Sequence, residues 1–539
     1  MRAIAVTLIL LALGARAAIA QHDAHPAAPR AKLGTVHFAT SCRADAARDF
    51  DHAVALLHSF EFGAAIPAFQ RVAASDSTCA MAHWGIAISY WGNPLAAGAR
   101  SVAQLEAGRD AIARARSVSA RATPRERAYI DAVGQLFARY DSVPQRARVV
   151  DYAHAMQQVA KSNPEDSEAQ IFHALSLLAA ADPADKRYAN QLAAAATLER
   201  LYATQPDHPG LTHYLIHAYD APPLASRGVA AARRYSTIAP DAAHALHMPS
   251  HIFTRVGSWD ASVESNSRAI ASAIAEGSMA EALHASDYSV YAYLQTGQDR
   301  AAREIRDGLP AIVAKWDSKA IGTGAPPAAG FFALASIPAR YALERRAWPE
   351  AAALTSTNST IPWVQSATHF ARGLGAAHGG DLATARASLD TLAQLQARLV
   401  AAGEGYWTEQ LAIQQLGVKG WVAHAEHRDD DALTALREAS TREDATEKNV
   451  ITPGPLIPAR ELLGELLLEM HQPAAALAEY RKTLAKEPNR FRALYGAMRA
   501  SSLAGEQPAA KEYAARLREI CAHGDADGRA EMSEIRALR

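Results

Sequence analysis

Two stretches of this chain repeat one pattern 34 residues apart, and that repetition constrains the fold more than composition does. "PDHPGLTHYLIHAYD" begins at Pro206 and "PDAAHALHMPSHIF" at Pro240; aligning the two prolines superimposes His213 on His247 and His217 on His251. A unit of this length holds a pair of antiparallel helices but no core of its own, so each copy must bury its apolar face against the next.

The clearest copy is "ARELLGELLLEMHQPAAALAEYRKTLAKEPN", residues 459 to 489. Leu463, Gly464 and Leu467 share one helical face, a turn falls at Gln472-Pro473, Ala476, Tyr480 and Thr483 lie on a second helix, and Pro488 closes the unit. "FEFGAAIPAFQRVAASDS", "GSWDASVESNSRAIA", "GGDLATARASLDTLA" and "GEQPAAKEYAARL" repeat its sense in weaker form. Alanine is abundant and strand-type alternation almost missing, which predicts an all-α protein. With small residues at the helix crossing, a large one in the second helix and a closing proline, the unit resembles the tetratricopeptide repeat (TPR). The stretches "LLHSFEFGAAIPAF", "HALHMPSHIFTRVG" and "TEKNVITPGPLIPARELLGELLLE" are similar to exported bacterial TPR proteins of no assigned activity. The resemblance implies a right-handed superhelical solenoid whose first helices line a concave, partner-binding face.

The predicted plan has five parts. Residues 1–20 read as a signal peptide: Arg2, the apolar run "AIAVTLILLAL", and "AIA" ahead of Gln21. Residues 21–36 are a flexible His/Pro/Ala-rich leader, 37–319 a first array, 320–330 ("AIGTGAPPAAG") a Gly/Pro linker, and 331–539 a second array. No later apolar run is long enough for a membrane span, so the mature protein is expected to be exported, to a bacterial periplasm or beyond. Formal net charge is −1 and about −3 without Arg2 and Arg16, which gives no electrostatic case for nucleic acid. Of three cysteines, Cys42 and Cys79 could pair in an oxidising compartment, leaving Cys521 free.

The candidate site follows from the repeat. His213/His217 and His247/His251 are each i, i+4 pairs, so both imidazoles of a pair lie on one helical face. Asp220 adds a carboxylate, Arg255 stands at the i+8 place of the next unit, and "EALHASDYSVYAYLQTGQ" offers His284, Asp287, Tyr288 and Tyr291. Two readings follow. In the first, these ten residues line a groove that recognises a protein, peptide or small ligand, with no enzymatic activity. In the second, His213, His217, His247 and His251 hold Zn²⁺, Cu²⁺ or Fe²⁺, as a metal-binding protein or metal-dependent enzyme. Pro249 disturbs the second clip, since it removes a backbone donor and can place His247 ahead of the regular helix. His244 reads as a helix-entry residue, Trp84 and Trp91 as core, and "REDATEKNVITPGPLIPARE" as a solvated loop with local ion pairs, capping of the groove being the alternative. The chain carries no phosphate-binding glycine loop, no nucleophile elbow and no Cys/His pair that would serve another chemistry.

Overall fold

A computed structural model describes residues 31–96, 98–357, 359–526 and 528–537. The expected signal peptide lies outside these residues, as does the expected leader up to residue 30. Among the described residues there are helices, turns and loops but no strand, and no helix is long and apolar enough to cross a membrane. Successive helices pair as antiparallel hairpins: Ala459–Glu469 with Pro473–Lys486, Phe491–Leu503 with Gln507–Ile520, Trp259–Glu276 with Met279–Gln295. The array is a TPR-like helical solenoid.

The close crossings rest on missing side chains. Tyr480 is 1% exposed and lies between Gly464 and Gly496; a β-carbon on Gly464 would stand 2.8 Å from its ring. Gly420 meets Leu436 in the same way, at 2.6 Å. Large-on-small packing at each crossing lets the helix pairs approach closely and fixes their register. Gly277 and Gly297, with φ of +80° and +69°, turn the chain between consecutive helices in a conformation that costs glycine little.

Three boundaries depart from expectation. The expected leader is not free as far as residue 36: Leu33, Val36 and Phe38 are buried, and Thr35 donates its N–H to the Asp207 carbonyl at 3.0 Å. Phe38 completes an aromatic cluster with Phe50, Trp84 and Tyr129, an apolar gain that holds the extended strip in place. Just beyond it, a disulfide joins Cys42 to Cys79, while Cys521 is a free buried thiol. Secondly, the 320–330 segment is packed: Gly322 and Gly324 carbonyls accept from Gly63 N and Asn93 Nδ2, both at 2.8 Å. Its last four residues already belong to the helix Pro327–Glu344, which proline at its first position favours. Thirdly, "REDATEKNVITPGPLIPARE" is solvated only in part: Asp444 and Ala445 are exposed and Asp444 pairs with Arg460, but the later residues are covered. Ile451, Leu456 and Ile457 are buried, because this loop is laid across the helices of the first array.

Met279–Gln295 is the central helix, buried on nearly every side. Two buried guanidiniums tie it to the C-terminal half. Arg340 bonds Asp287 (3.1 Å) and the Pro455 carbonyl (2.9 Å). Arg490 bonds Tyr291 (2.9 Å), Glu461 (2.5 Å) and Glu344, with both carboxylate residues and the arginine fully buried. Arg490→Ala leaves two buried carboxylates without their cation, so a loss of about 3–5 kcal/mol is expected. Urea unfolding followed by circular dichroism measures it; a midpoint equal to that of the native chain would show that this junction carries no such load.

Candidate metal centre

The first histidine group is built on the helix Pro209–Tyr219, which opens on proline at its first position. One turn of helix separates His213 and His217, and their Nε2 atoms stand 3.2 Å apart. His213 Nδ1 donates to the His58 carbonyl at 2.7 Å. A carbonyl only accepts, so in the neutral ring the proton is on Nδ1 and the Nε2 lone pair is free. His244 completes the group from the helix Ala243–His247; one ligand atom from each of the three lies within 4.8 Å of the others. The Glu281 carboxylate accepts from His244 Nδ1 at 3.1 Å, from Thr323 Oγ1 at 2.7 Å and from Ala325 N at 2.9 Å. His244 Nε2 is buried without a partner among the described residues. Gly324 lies directly against that ring, at a distance no β-carbon could occupy.

The second group repeats the plan. Pro249 starts the helix Pro249–Arg255, and the short helix Ala243–His247 ends just before it. Met248, between them, keeps right-handed helical angles (φ −52°, ψ −37°), so the helical path continues although the hydrogen-bond ladder is interrupted. His247 and His251 therefore remain one turn apart, their Nε2 atoms 3.1 Å from each other. His284, from Met279–Gln295, is the third member. Its ring centroid is 4.5 Å from that of His247, and its Nδ1 is another buried atom without a partner.

Partners of the outer nitrogens set the chemistry of the inner ones. His247 Nδ1 faces Asn266 Oδ1 at 2.7 Å; the Asn266 amide nitrogen is committed to the Ser262 carbonyl, so the oxygen accepts. His251 Nδ1 donates to Asp220 at 2.9 Å. Burial lowers five of these imidazoles: His213, His217 and His247 fall well below the ordinary value, His251 to about 4 and His284 to about 3. With both rings neutral and both outer nitrogens donating, two lone pairs meet at 3.1 Å with no proton between them. Burial raises Asp220, yet Lys448 (2.8 Å), Arg255 (2.8 Å) and His251 together hold it well below the usual carboxylate range. Burial likewise lowers Lys448, to about 8.

The two groups are neighbours: ring centroids of His217 and His251, and of His244 and His247, are 6.1 Å apart. Of the ten residues predicted to line a groove, eight are buried and His217 and Asp220 partly so, which means that no open groove displays them. Asp220 is the C-cap of its helix and stands behind His251, braced by Arg255. Tyr288 packs on His247 and His251, at 4.9 and 4.8 Å between centroids, and donates to the Thr452 carbonyl. Asp287 and Tyr291 belong elsewhere, to Arg340 and Arg490. Three residues of helix turn Asp287 about 60° away from His284, and seven carry Tyr291 about 10 Å along the axis.

Sequence reasoning missed several members. His244 is a ligand candidate rather than an entry residue; Glu281, Asn266 and Lys448 are supports that no short motif marks. A further group, His58, Glu168 and His208, lies behind the first. There Glu168 accepts from both imidazoles at 2.9 Å and is held below the usual range by them against the effect of burial. A cavity of about 380 Å³, with Tyr188, Tyr406, Glu447 and Lys448 in its walls, reaches His217 and Asp220.

No family model matches this chain, and no curated protein matches it by sequence. Solved structures do. A human IFIT1 dimer with PPP-AAAA is 12% identical, covering 82% of this chain and 91% of that one, with a TM-score of 0.39. The APC/C hetero-tetramer Cut9–Hcn1 is 14% identical over 85% and 76% of the two chains, TM-score 0.34. The P58(IPK) TPR domain is 15% identical over 69% and 98%, TM-score 0.21. These scores are too low to say anything about the site.

The lowered imidazoles have a sign in stability. Between the unfolded value of about 6.5 and the folded values of His251 and His284, near 4 and 3, the unfolded chain binds more protons than the folded one. Their contribution is fully present above pH 6.5 and is lost as pH falls through that window. Chelator-treated protein is therefore expected to show a steadily falling urea midpoint from pH 7 to pH 4; a flat profile across that range would contradict buried neutral histidines.

Proposed function

We propose that this helical-repeat protein is a metalloprotein holding two transition-metal ions side by side. His213, His217 and His244 hold one; His247, His251 and His284 hold the other. The observation that carries the reading is the approach of His247 Nε2 and His251 Nε2 at 3.1 Å with both Nδ1–H groups already donating. Two facing lone pairs repel unless a cation lies between them, and burial of both rings opposes a proton in that role. Nitrogens about 2.0–2.1 Å from a tetrahedral ion are about 3.3 Å from each other, close to the separations in both pairs. Outer nitrogens anchored to a carbonyl, an amide oxygen or a carboxylate are the usual support of metal-bound imidazole.

Six imidazoles with no thiolate among them suit zinc, copper or iron and not calcium or magnesium. Three protein ligands per ion leave a coordination position for water or substrate, the arrangement of catalytic rather than structural sites. The cavity reaching His217 is the natural approach to the first ion, and its volume suits a small molecule. Metal-dependent chemistry on a small substrate is thus favoured over peptide capture by the same histidines, which a peptide could reach only by displacing the loop that carries Lys448. Export to an oxidising compartment is part of the proposal, and the Cys42–Cys79 disulfide is consistent with it.

Elemental analysis of native protein purified without a histidine tag should find about two transition-metal ions per chain. His217→Ala and His284→Ala should each reduce this to about one, and the double variant should hold none. Removal of metal should lower the melting temperature and its return restore it, since a ligand bound only by the folded state stabilises it. Metal-free protein whose melting temperature ignores added Zn²⁺ and Cu²⁺ would sink the proposal.

A further inference from the structure

A cavity of about 900 Å³ lies in the C-terminal half, away from the two histidine groups. Its walls come from the helices Asp299–Val313, Pro327–Glu344, Phe491–Leu503 and Ala530–Ala537, and they are crowded with arginine. Most of the carboxylates there are already committed. Asp299 accepts from Arg529 (3.1 Å), Glu465 from Arg346 (2.8 Å), Asp525 from Arg300 (3.1 Å), Glu531 from Arg492, Glu534 from Tyr495, and Glu469 from His424 (3.1 Å).

What remains over is chiefly guanidinium. Arg492 is 5% exposed, and its Nη2 is buried without a hydrogen-bond partner among the described residues. Arg346 and Arg529 press on it with like charge, and burial together with that repulsion lowers it. Arg303 and Arg499, at the cavity wall, reach no carboxylate among the described residues. His378 Nε2 is buried and without a partner beside them, its ring stacked on Trp348 at 3.8 Å. An orphaned guanidinium donor in a buried place is costly unless something accepts from it. Three guanidiniums with free donors also outnumber what a single carboxylate can accept in one bidentate pair.

We infer that this cavity binds a small, multiply charged oxyanion, a phosphate or polycarboxylate group, on Arg303, Arg492 and Arg499. The site is independent of the metal centre. Calorimetric titration of native protein with inorganic phosphate and, separately, with succinate, at matched ionic strength, tests it. Saturable binding near one per chain is expected, weakened at least about tenfold in the surface double variant Arg303→Glu/Arg499→Glu and unchanged in His284→Ala. Binding of phosphate alone, of succinate alone, or of both, with that loss in the double variant, supports the site and identifies its chemistry. No saturable binding by the native chain, or equal binding by the double variant, overturns it.

Discussion

The Asp220 carboxylate accepts from His251, Arg255 and Lys448 together, at 2.8 to 2.9 Å. Each of those contacts does a different thing. The first orients one imidazole and fixes which nitrogen carries its proton; the second fastens the helix that bears it; the third holds down a loop 228 residues further along the chain. A buried carboxylate without such company would be raised and neutral, and would then donate where His251 needs an acceptor. Two cations keep it anionic, so the tautomer of a ring in the centre depends on a lysine from the far half of the molecule.

The repeat made much of this legible beforehand. A period of 34 residues and i, i+4 spacing were enough to pair His213 with His217 and His247 with His251 and to place the two pairs on the first helices of successive units. Neither third member obeys the period, since His244 and His284 do not align when the two units are superimposed. They come from the short helix before Pro249 and from the next first helix, and only packing brings them in. The supports were harder still. Glu281 and Asn266 read as ordinary helical residues, and Lys448 lies in a stretch whose charges suggested solvent. That loop is buried because Ile451, Leu456 and Ile457 have helices to cover, a match of surfaces that periodicity cannot carry.

Pro249 was the awkward residue of the sequence, and its resolution is physical. A proline deprives the ladder of a donor but does not forbid helical angles to the residue before it; it only disfavours them. Met248 adopts them here, fully buried among neighbours that leave it no other place. The chain is thereby cut into two short helices without losing the rotation between His247 and His251. Groove-lining by Asp287 and Tyr291 failed for a different reason. Both lie on the central helix, which is buried nearly all round and shares its sides among several neighbours, so membership of that helix does not decide which neighbour a side chain meets.

The position of Lys448 in the chain also bears on the order of events. It follows Tyr288 by 160 residues, while all six histidines precede Tyr288. A ribosome adding about 5–20 residues per second completes both histidine groups on the order of ten seconds before the lysine that seals them exists. During that interval the nascent chain has the six histidines but not the loop that covers them. Access to the histidines is therefore a property of time as well as of shape.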